Sequence, residues 1–284
     1  MKKLLALFIL SLAIVALTPS FASAVKPDAS GTFNTQSAST AELVGYDISY
    51  PQCGTRLPTG QYFGIVGVNG GTAAVENPCL AGQLTWAKNS KNGSNQDKVQ
   101  LYVNTANPGE VIDQVTTWPT SSSSENPFGA CDGTNTVACS WQYGWNRSVV
   151  TYNQYFLPAA QASGISTSAS SYLWWLDVET MNTWQSGSTD ALNRNVATLE
   201  GMAAYYQSQN ARVGLYTTSY QWGVITGNFI GTNSNLNGLP NWRPSGSSLS
   251  NAVTNCSVAP LTAGGYISLT QYVVKRLDNN HSCI

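Results

Sequence analysis

Tyr172-Leu173-Trp174-Trp175-Leu176-Asp177-Val178-Glu179-Thr180 is the stretch on which the reading of this chain turns. Five apolar or aromatic residues in a row make a buried strand, yet two carboxylates separated by one residue stand at its end. Side chains alternate along a strand, so Asp177 and Glu179 point to the same face, with Cα atoms roughly 6.5 Å apart. Two acids on one face of a buried strand repel each other and lose hydration, which raises at least one pKa. A structural strand gains nothing from that arrangement, whereas an acid/base or glycoside-cleaving pair depends on it. The competing structural reading makes Glu179 or Thr180 the N-cap of a following helix.

Outward from this strand, segments of strand and helix character alternate. Downstream lie a helix at 191–209, with Leu192, Val196, Leu199 and Ala203 at 3.6-residue spacing, and a strand at 212–218. A short helix at 220–225, a sixth strand at 239–243 and a strand at 266–274 that ends the series follow. Upstream lie strands at 43–49, 62–69 and 98–104, and helices at 79–90 and 141–162. A Ser- and Pro-rich insertion occupies 116–140. Near-continuous apolar strands alternating with helices predict a parallel sheet covered by helices. No GxGxxG or GxxxxGK[ST] follows a strand, so nucleotide-binding sheets lose support. Polar residues recur at the C-terminal strand ends: Asp47, Asn69, Asn104, Asp177/Glu179, Thr217/Thr218 and Gln271. That is where barrel enzymes carry their chemistry. The expected fold is α/β, a (β/α)8 TIM-barrel-like single domain over 42–284 with disulfide-bearing loops.

The first 24 residues read as a secretory signal peptide: Lys2 and Lys3, an apolar core over 4–17, and Ala22-Ser23-Ala24 as the cleavage site. The apolar run is short for a retained membrane anchor. Residues 25–41 lack apolar periodicity and read as a flexible linker. Cleavage after Ala24 removes two lysines and moves the formal charge from −1 to −3. No basic footprint for nucleic acid or for a membrane surface is left. Only 10% of residues are charged, far below the roughly 25% of ordinary soluble domains. Ser, Thr, Asn, Gln and Tyr must therefore wet the surface, and with nine tryptophans the chain suits contacts with sugars. The chain is expected to be a secreted, extracellular or wall-associated monomer.

Six cysteines in an exported chain predict three disulfides. Fifteen pairings are possible; local closure favours Cys53–Cys79, Cys131–Cys139 and Cys256–Cys283. No CxxC occurs and His281 is the only histidine, so neither a metal nor a cofactor is expected. A Ser-His-Asp triad resting on that single late histidine is improbable. Four Asn-x-Ser patterns, starting at Asn92, Asn146, Asn255 and Asn280, are of the number that so Asn- and Ser-rich a chain produces by chance.

Four elements in order resemble the family 25 glycoside hydrolases, the lysozyme-type muramidases. Gly45-Tyr46-Asp47-Ile48-Ser49-Tyr50-Pro51-Gln52 is similar to their opening strand. Leu176-Asp177-Val178-Glu179 is similar to their central Asp-x-Glu strand, and Gly214-Leu215-Tyr216-Thr217-Thr218 with Trp222 to the strand and aromatic helix that follow. Leu269-Thr270-Gln271-Tyr272, then Asp278 and Asn280, resembles the closing Trp-Gln-Tyr and Asp-x-Asn elements. The likeness is closer still to a secreted bacterial subgroup described as glycoside-hydrolase-like, which shares the Gly-x-Asp-Ile-Ser-x-Pro-Gln-Cys and Trp-Leu-Asp-Val-Glu-Thr runs. This chain departs from the muramidase pattern at Pro51 and Cys53, at Leu269-Thr270, and in the 116–140 insertion, which is expected to narrow or cover a cleft.

The resemblance implies a barrel and a glycan or peptidoglycan substrate cleaved through the acid pair. It makes Glu179 the general acid and Asp177 a charge-stabilising partner that orients a substrate N-acetyl group. Asp47 becomes a third acid at the same mouth, although Asp47 beside Ser49 is equally a loop-capping pattern. Asn69, Tyr102, Asn104, Tyr216, Trp242 and Gln271 become candidates to line a sugar site, and each has internal packing or hydrogen bonding as its alternative. Asp278 is the weakest match, on a C-terminal tail where it has Arg276 as a potential partner. Of Trp174 and Trp175, at least one is expected to pack between barrel and helices. A non-catalytic glycan-binding or cell-envelope protein on the same barrel is the second reading.

Overall fold

Apolar strands buried on both faces need cover on each side of the sheet, and this chain provides it by closing the sheet into a barrel with helices outside. The computed structural model describes residues 43–70 and 73–284; the leader (1–24), the linker (25–41) and residue 42 lie outside the described residues. Eight strands form a closed barrel in sequence order: β1 (Gly45–Ile48), β2 (Gly64–Gly67), β3 (Val99–Asn104), β4 (Leu173–Asp177), β5 (Arg212–Tyr216), β6 (Pro240–Pro244), β7 (Tyr266–Val274) and β8 (Leu277–Ser282). Neighbours from β1 to β7 are parallel. β8 is antiparallel to both β7 and β1 and closes the ring.

The eighth strand is where structure and sequence expectation part. The reading above ends the series at Val274 and leaves Asp278 on a tail. Instead the chain reverses over Lys275 and Arg276, at φ of 51° and 64°, the left-handed pair that a two-residue hairpin turn requires. No Asn-Gly or Asp-Gly marks this turn. Asp278 therefore sits on a barrel strand, in register with Val273.

Helices cover the outside: α1 (Leu80–Lys88), α2 (Val137–Val150), α3 (Leu157–Ser163), α4 (Thr189–Ser208), α5 (Ser219–Thr226) and α6 (Leu249–Asn255). The helix expected at 141–162 is α2 and α3 joined through a π-helical turn, Thr151–Phe156. It starts earlier than expected because Thr136 caps it, accepting from the Cys139 backbone N–H at 3.2 Å. α2 and α4 approach closely at Gly144 and Gly201, where a Cβ on either would collide with the facing backbone carbonyl of Thr198 or Trp141.

Alternation along the strands makes two cores. Trp174, Leu176 and Val178 face outward and pack with Val66, Leu101, Leu199 and Tyr206 between barrel and helices. Trp175 faces inward with Phe63, Ile65, Trp242 and Leu269. The two adjacent tryptophans thus serve opposite faces of one strand. Gly214 on the neighbouring strand makes the inward position tenable, since a side chain there would overlap the Trp175 ring. Burial of each large side chain contributes about 2–3 kcal/mol.

The barrel floor, at the N-terminal strand ends, is plugged by neutral amides. Gln96 donates to the Ser268 carbonyl at 3.1 Å and to Ser282 Oγ at 3.0 Å. Gln100 donates to Gln96 Oε1 at 3.1 Å and accepts from Trp175 Nε1 at 2.7 Å. All six cysteines are paired, as Cys53–Cys79, Cys131–Cys139 and Cys256–Cys283. No helix among the described residues is long and apolar enough to cross a membrane.

Candidate active site

At the C-terminal strand ends the barrel opens into a cavity of about 190 Å³ whose wall includes Asp47, Asp177, Glu179 and Asp278. Each acid comes from a strand end. Asp47 is the third residue of β1, Asp177 the last of β4, and Asp278 the second of β8, whose reversed direction brings its start to the same mouth. Glu179 lies two residues beyond Asp177, with Val178 between them turned outward into the helix-facing core. The alternation expected of strand residues thus continues past the last ladder position, and both carboxyls reach one cavity.

Asp47 is held by two amides. Gln271 Nε2 donates to both its oxygens at 3.1 Å, and Asn280 Nδ2 donates to Oδ1 at 2.7 Å. Those amides are fixed in turn: Tyr216 OH donates to Gln271 Oε1 at 2.7 Å, and Trp242 Nε1 to Asn280 Oδ1 at 2.8 Å. A continuous network therefore runs Tyr216–Gln271–Asp47–Asn280–Trp242. Burial, and next the charge of Asp278, push the Asp47 carboxyl up to about 7, against the hydrogen bonds from Asn280 and Gln271.

Asp177 is treated differently. It is 6% exposed, and its Oδ1 is buried without a hydrogen-bond partner. Burial raises its pKa well above the ordinary value, and Glu179 and Asp47 add to that. Glu179 is half-buried; burial raises its pKa, while a hydrogen bond from Gln221 opposes the rise. That amide is aimed by a capping box at the start of α5, in which Gln221 Oε1 accepts from Thr218. Burial also raises Asp278. Among the described residues none of the four acids is paired with a lysine or arginine, so Arg276 does not neutralise Asp278.

Tyr102, Tyr216, Trp242 and Gln271 complete the wall. Tyr216 lies 4.3 Å and Tyr102 6.2 Å from the Trp242 ring, centroid to centroid, so an aromatic floor underlies the carboxyls. Asn69 and Asn104 do not line this cavity. They bind each other across β2 and β3: Asn69 Oδ1 accepts from the Asn104 backbone at 2.7 Å, and Asn69 Nδ2 donates to the Asn104 carbonyl at 3.1 Å. Buried at 1% and 7% exposure, they satisfy backbone groups at the ends of two strands. Thr217 and Thr218 are likewise structural, Thr217 donating to the Val178 carbonyl at 2.6 Å and Thr218 capping α5.

Two residues that shape the acids stand outside the candidate set drawn from the sequence. Asn280 is fully buried and holds Asp47, which also removes it from the acceptor patterns for glycosylation. Its signal was its place in the closing Asp-x-Asn element. Gln221 is readable only as the fourth residue of a Thr-x-x-Gln helix start. The 116–140 insertion contributes no residue to the wall of this cavity.

Comparison with known proteins falls on the same ground. Residues 159–251 match the family model described as Lysozyme-like protein 1. Over that segment the chain is lysozyme-like. The segment covers a third of the 284 residues and contains β4 with both its acids, α4, β5, α5 and β6. Among solved structures the chain is similar to a muramidase from Trichobolus zukalii, with 17% identity over 84% of this chain and 93% of that one and a TM-score of 0.46. It is similar also to a family GH25 lysozyme from Aspergillus fumigatus, with 16% identity, 84% and 93% coverage, and a TM-score of 0.47. A third is the Clostridium perfringens spore cortex lytic enzyme SleM, with 13% identity, 85% and 67% coverage, and a TM-score of 0.49. No curated protein matches the chain.

Proposed function

We propose that this chain is a secreted glycoside hydrolase that cleaves an amino-sugar glycan of the bacterial cell wall at the barrel mouth. The observation that carries the proposal is Asp177: a buried carboxyl with an unpartnered oxygen, beside Glu179 and Asp47 and without a counter-cation among the described residues. Crowded acids of raised pKa, held by a rigid barrel, are a site prepared to give a proton.

In this reading Glu179 is the acid. Its carboxyl is half-exposed, so it reaches the glycosidic oxygen, and burial keeps it protonated to higher pH than an ordinary glutamate. As the proton passes to the leaving oxygen, the bond from that oxygen to the anomeric carbon breaks. The carbonyl oxygen of the substrate's own N-acetyl group closes on the anomeric carbon, and the free Asp177 oxygen accepts a hydrogen bond from the amide N–H. Water then opens the ring, and its proton returns to Glu179. Asp47, fixed by Gln271 and Asn280, supplies a second negative charge near the developing cation. Tyr102 and Tyr216, both half-buried, border the sugar, and Trp242 beneath them is buried and holds Asn280.

The test is release of reducing sugar from purified peptidoglycan and from chitin-type oligomers, wild type against Glu179→Gln. Turnover that vanishes with Glu179 supports the hydrolase. Binding without turnover by the wild type would replace it with a glycan-binding barrel.

A further inference from the structure

A second and larger cavity lies on the flank of the barrel and has no part in the mouth. It measures about 590 Å³, within the range of about 300–1,000 Å³ of small-molecule sites. Phe128 of the insertion, Trp141 of α2, Glu200 of α4, and Asn233, Ser234 and Asn235 of the segment leading to β6 contribute to its wall. It shares no residue with the carboxyl cavity. α4 starts at the mouth end, and Glu200 is eleven residues down it, about 17 Å along the axis at 1.5 Å per residue.

The insertion builds one side of this cavity, and it is held there firmly. Asn126 Nδ2 donates to the Ala138 carbonyl of α2 at 2.8 Å, and Asn126 Oδ1 accepts from the Phe128 backbone at 3.0 Å. The Cys131–Cys139 disulfide closes the same loop onto α2. Phe128 remains 46% exposed despite this anchoring, so a fixed loop presents an aromatic side chain at the cavity. Trp141 is stacked on Trp145 at 5.4 Å, which locks the second ring.

The polar part of the wall states what would fit. Glu200 has Ser234 as its hydrogen-bond partner and no lysine or arginine paired with it. Its carboxylate disfavours an anion and accepts from hydroxyl or amide donors, and Asn233, Ser234 and Thr232 add neutral donors and acceptors. An entirely apolar ligand would leave these groups unpaired. Aromatic rings beside amides, hydroxyls and one acceptor carboxyl match a neutral sugar.

We infer that the flank cavity formed by the 116–140 insertion, α2 and α4 is a second glycan-binding site, taking a short stretch of neutral amino sugar and holding the chain on its polymer. The polymer's identity rests on the reading of the mouth; the site itself does not. Two linked sites raise retention on a polymer without any new contact at the first.

The experiment uses the full mature chain in a Glu179→Gln background, titrated with the tetramer of N-acetylglucosamine and followed by calorimetry and by NMR of the tryptophan indole N–H signals. Phe128→Ala and Asn233→Ala alter exposed side chains and leave the fold intact. Each is expected to weaken tetramer binding at the flank at least tenfold, to abolish ligand-induced shifts of the Trp141 signal, and to reduce retention on insoluble peptidoglycan. In the Glu179-containing enzyme neither changes turnover of the soluble tetramer. Shifts confined to Trp242, or retention equal to that of the parent in both variants, would overturn the inference. Flank binding in a wild-type chain that cleaves nothing would keep this site and remove the hydrolase. Cleavage with no flank binding would do the reverse.

Discussion

The two ends of the barrel interior both bury polar side chains, Gln96 and Gln100 at one and Asp47 and Asp177 at the other, and are furnished in opposite ways. At the floor, Gln96, Gln100 and Trp175 form a neutral chain in which each amide finds a partner. At the mouth, four carboxyls share a small cavity, with no lysine or arginine among the described residues paired to them and one oxygen of Asp177 without a partner there. A satisfied polar network fixes a fold. An unsatisfied, self-repelling one works against it and persists where the crowding is used. Unpartnered buried atoms occur elsewhere too, Tyr206 OH and Trp222 Nε1 among them; what sets the mouth apart is that its unpartnered oxygen belongs to a carboxyl crowded by other carboxyls.

The contrast predicts that mutations at the two ends fail in different currencies. Glu179→Gln has the largest expected effect, a loss of turnover of about two to four orders of magnitude from removing a positioned general acid, with the midpoint of urea unfolding unchanged or raised. Reducing-sugar assays alongside urea titration check both halves. At the inner core, Trp175→Ala should lower unfolding free energy by about 3–5 kcal/mol, the usual result of emptying a buried aromatic site. A fall of less than 1 kcal/mol would mean that the barrel interior collapses around the gap.

Smaller and more specific is Gln100→Ala. It removes the partners of Trp175 Nε1 and Gln96 Oε1, while Gln96 keeps its bonds to Ser268 and Ser282, so stability should fall by about 1–3 kcal/mol, while KM for a soluble oligomer stays unchanged. Smallest is the response to pH. Asp47, Asp177, Glu179 and Asp278 all have raised folded-state values, so the folded chain binds more protons than the unfolded one above about pH 4. Stability therefore falls as pH rises from the ordinary carboxylate range through the folded value of about 7 for Asp47. The melting temperature should be higher at pH 5 than at pH 8, and Asp47→Asn should flatten that slope. A melting temperature that rises over this interval would contradict the crowding.

The same distinction explains which parts of the molecule the sequence disclosed. Most of β1 to β7 was legible because burial on both faces leaves mainly apolar stretches bounded by Gly, Pro and Asn, with β6, which carries Asn241 and Arg243, the least apolar of them. β8 was not, since Leu277-Asp278-Asn279-Asn280-His281-Ser282 is polar throughout and its turn is Lys275-Arg276. That strand is held by its neighbours' ladders and by Asn280 on Asp47, which are tertiary contacts with no local pattern. The acid pair was readable from alternation within a single strand. Asn69 and Asn104 were misplaced because a strand-end amide serves a backbone or a ligand with the same sequence signature, and only their mutual bond decides. The insertion, expected as a departure from the muramidase pattern to narrow or cover the cleft, contributes nothing to the cavity wall and is tied to α2 through Asn126 and Cys139.

The most direct test of the contrast is Asp177→Asn measured for both quantities at pH 7. Replacing a buried carboxyl that has one unpartnered oxygen and other acids beside it should leave unfolding free energy in urea unchanged or raised, while turnover of a chitin-type oligomer drops by at least tenfold. If Asp177→Asn instead lowers stability by more than about 1 kcal/mol, as loss of a satisfied buried group does, and leaves turnover intact, then the mouth is a structural network like the floor and the account fails.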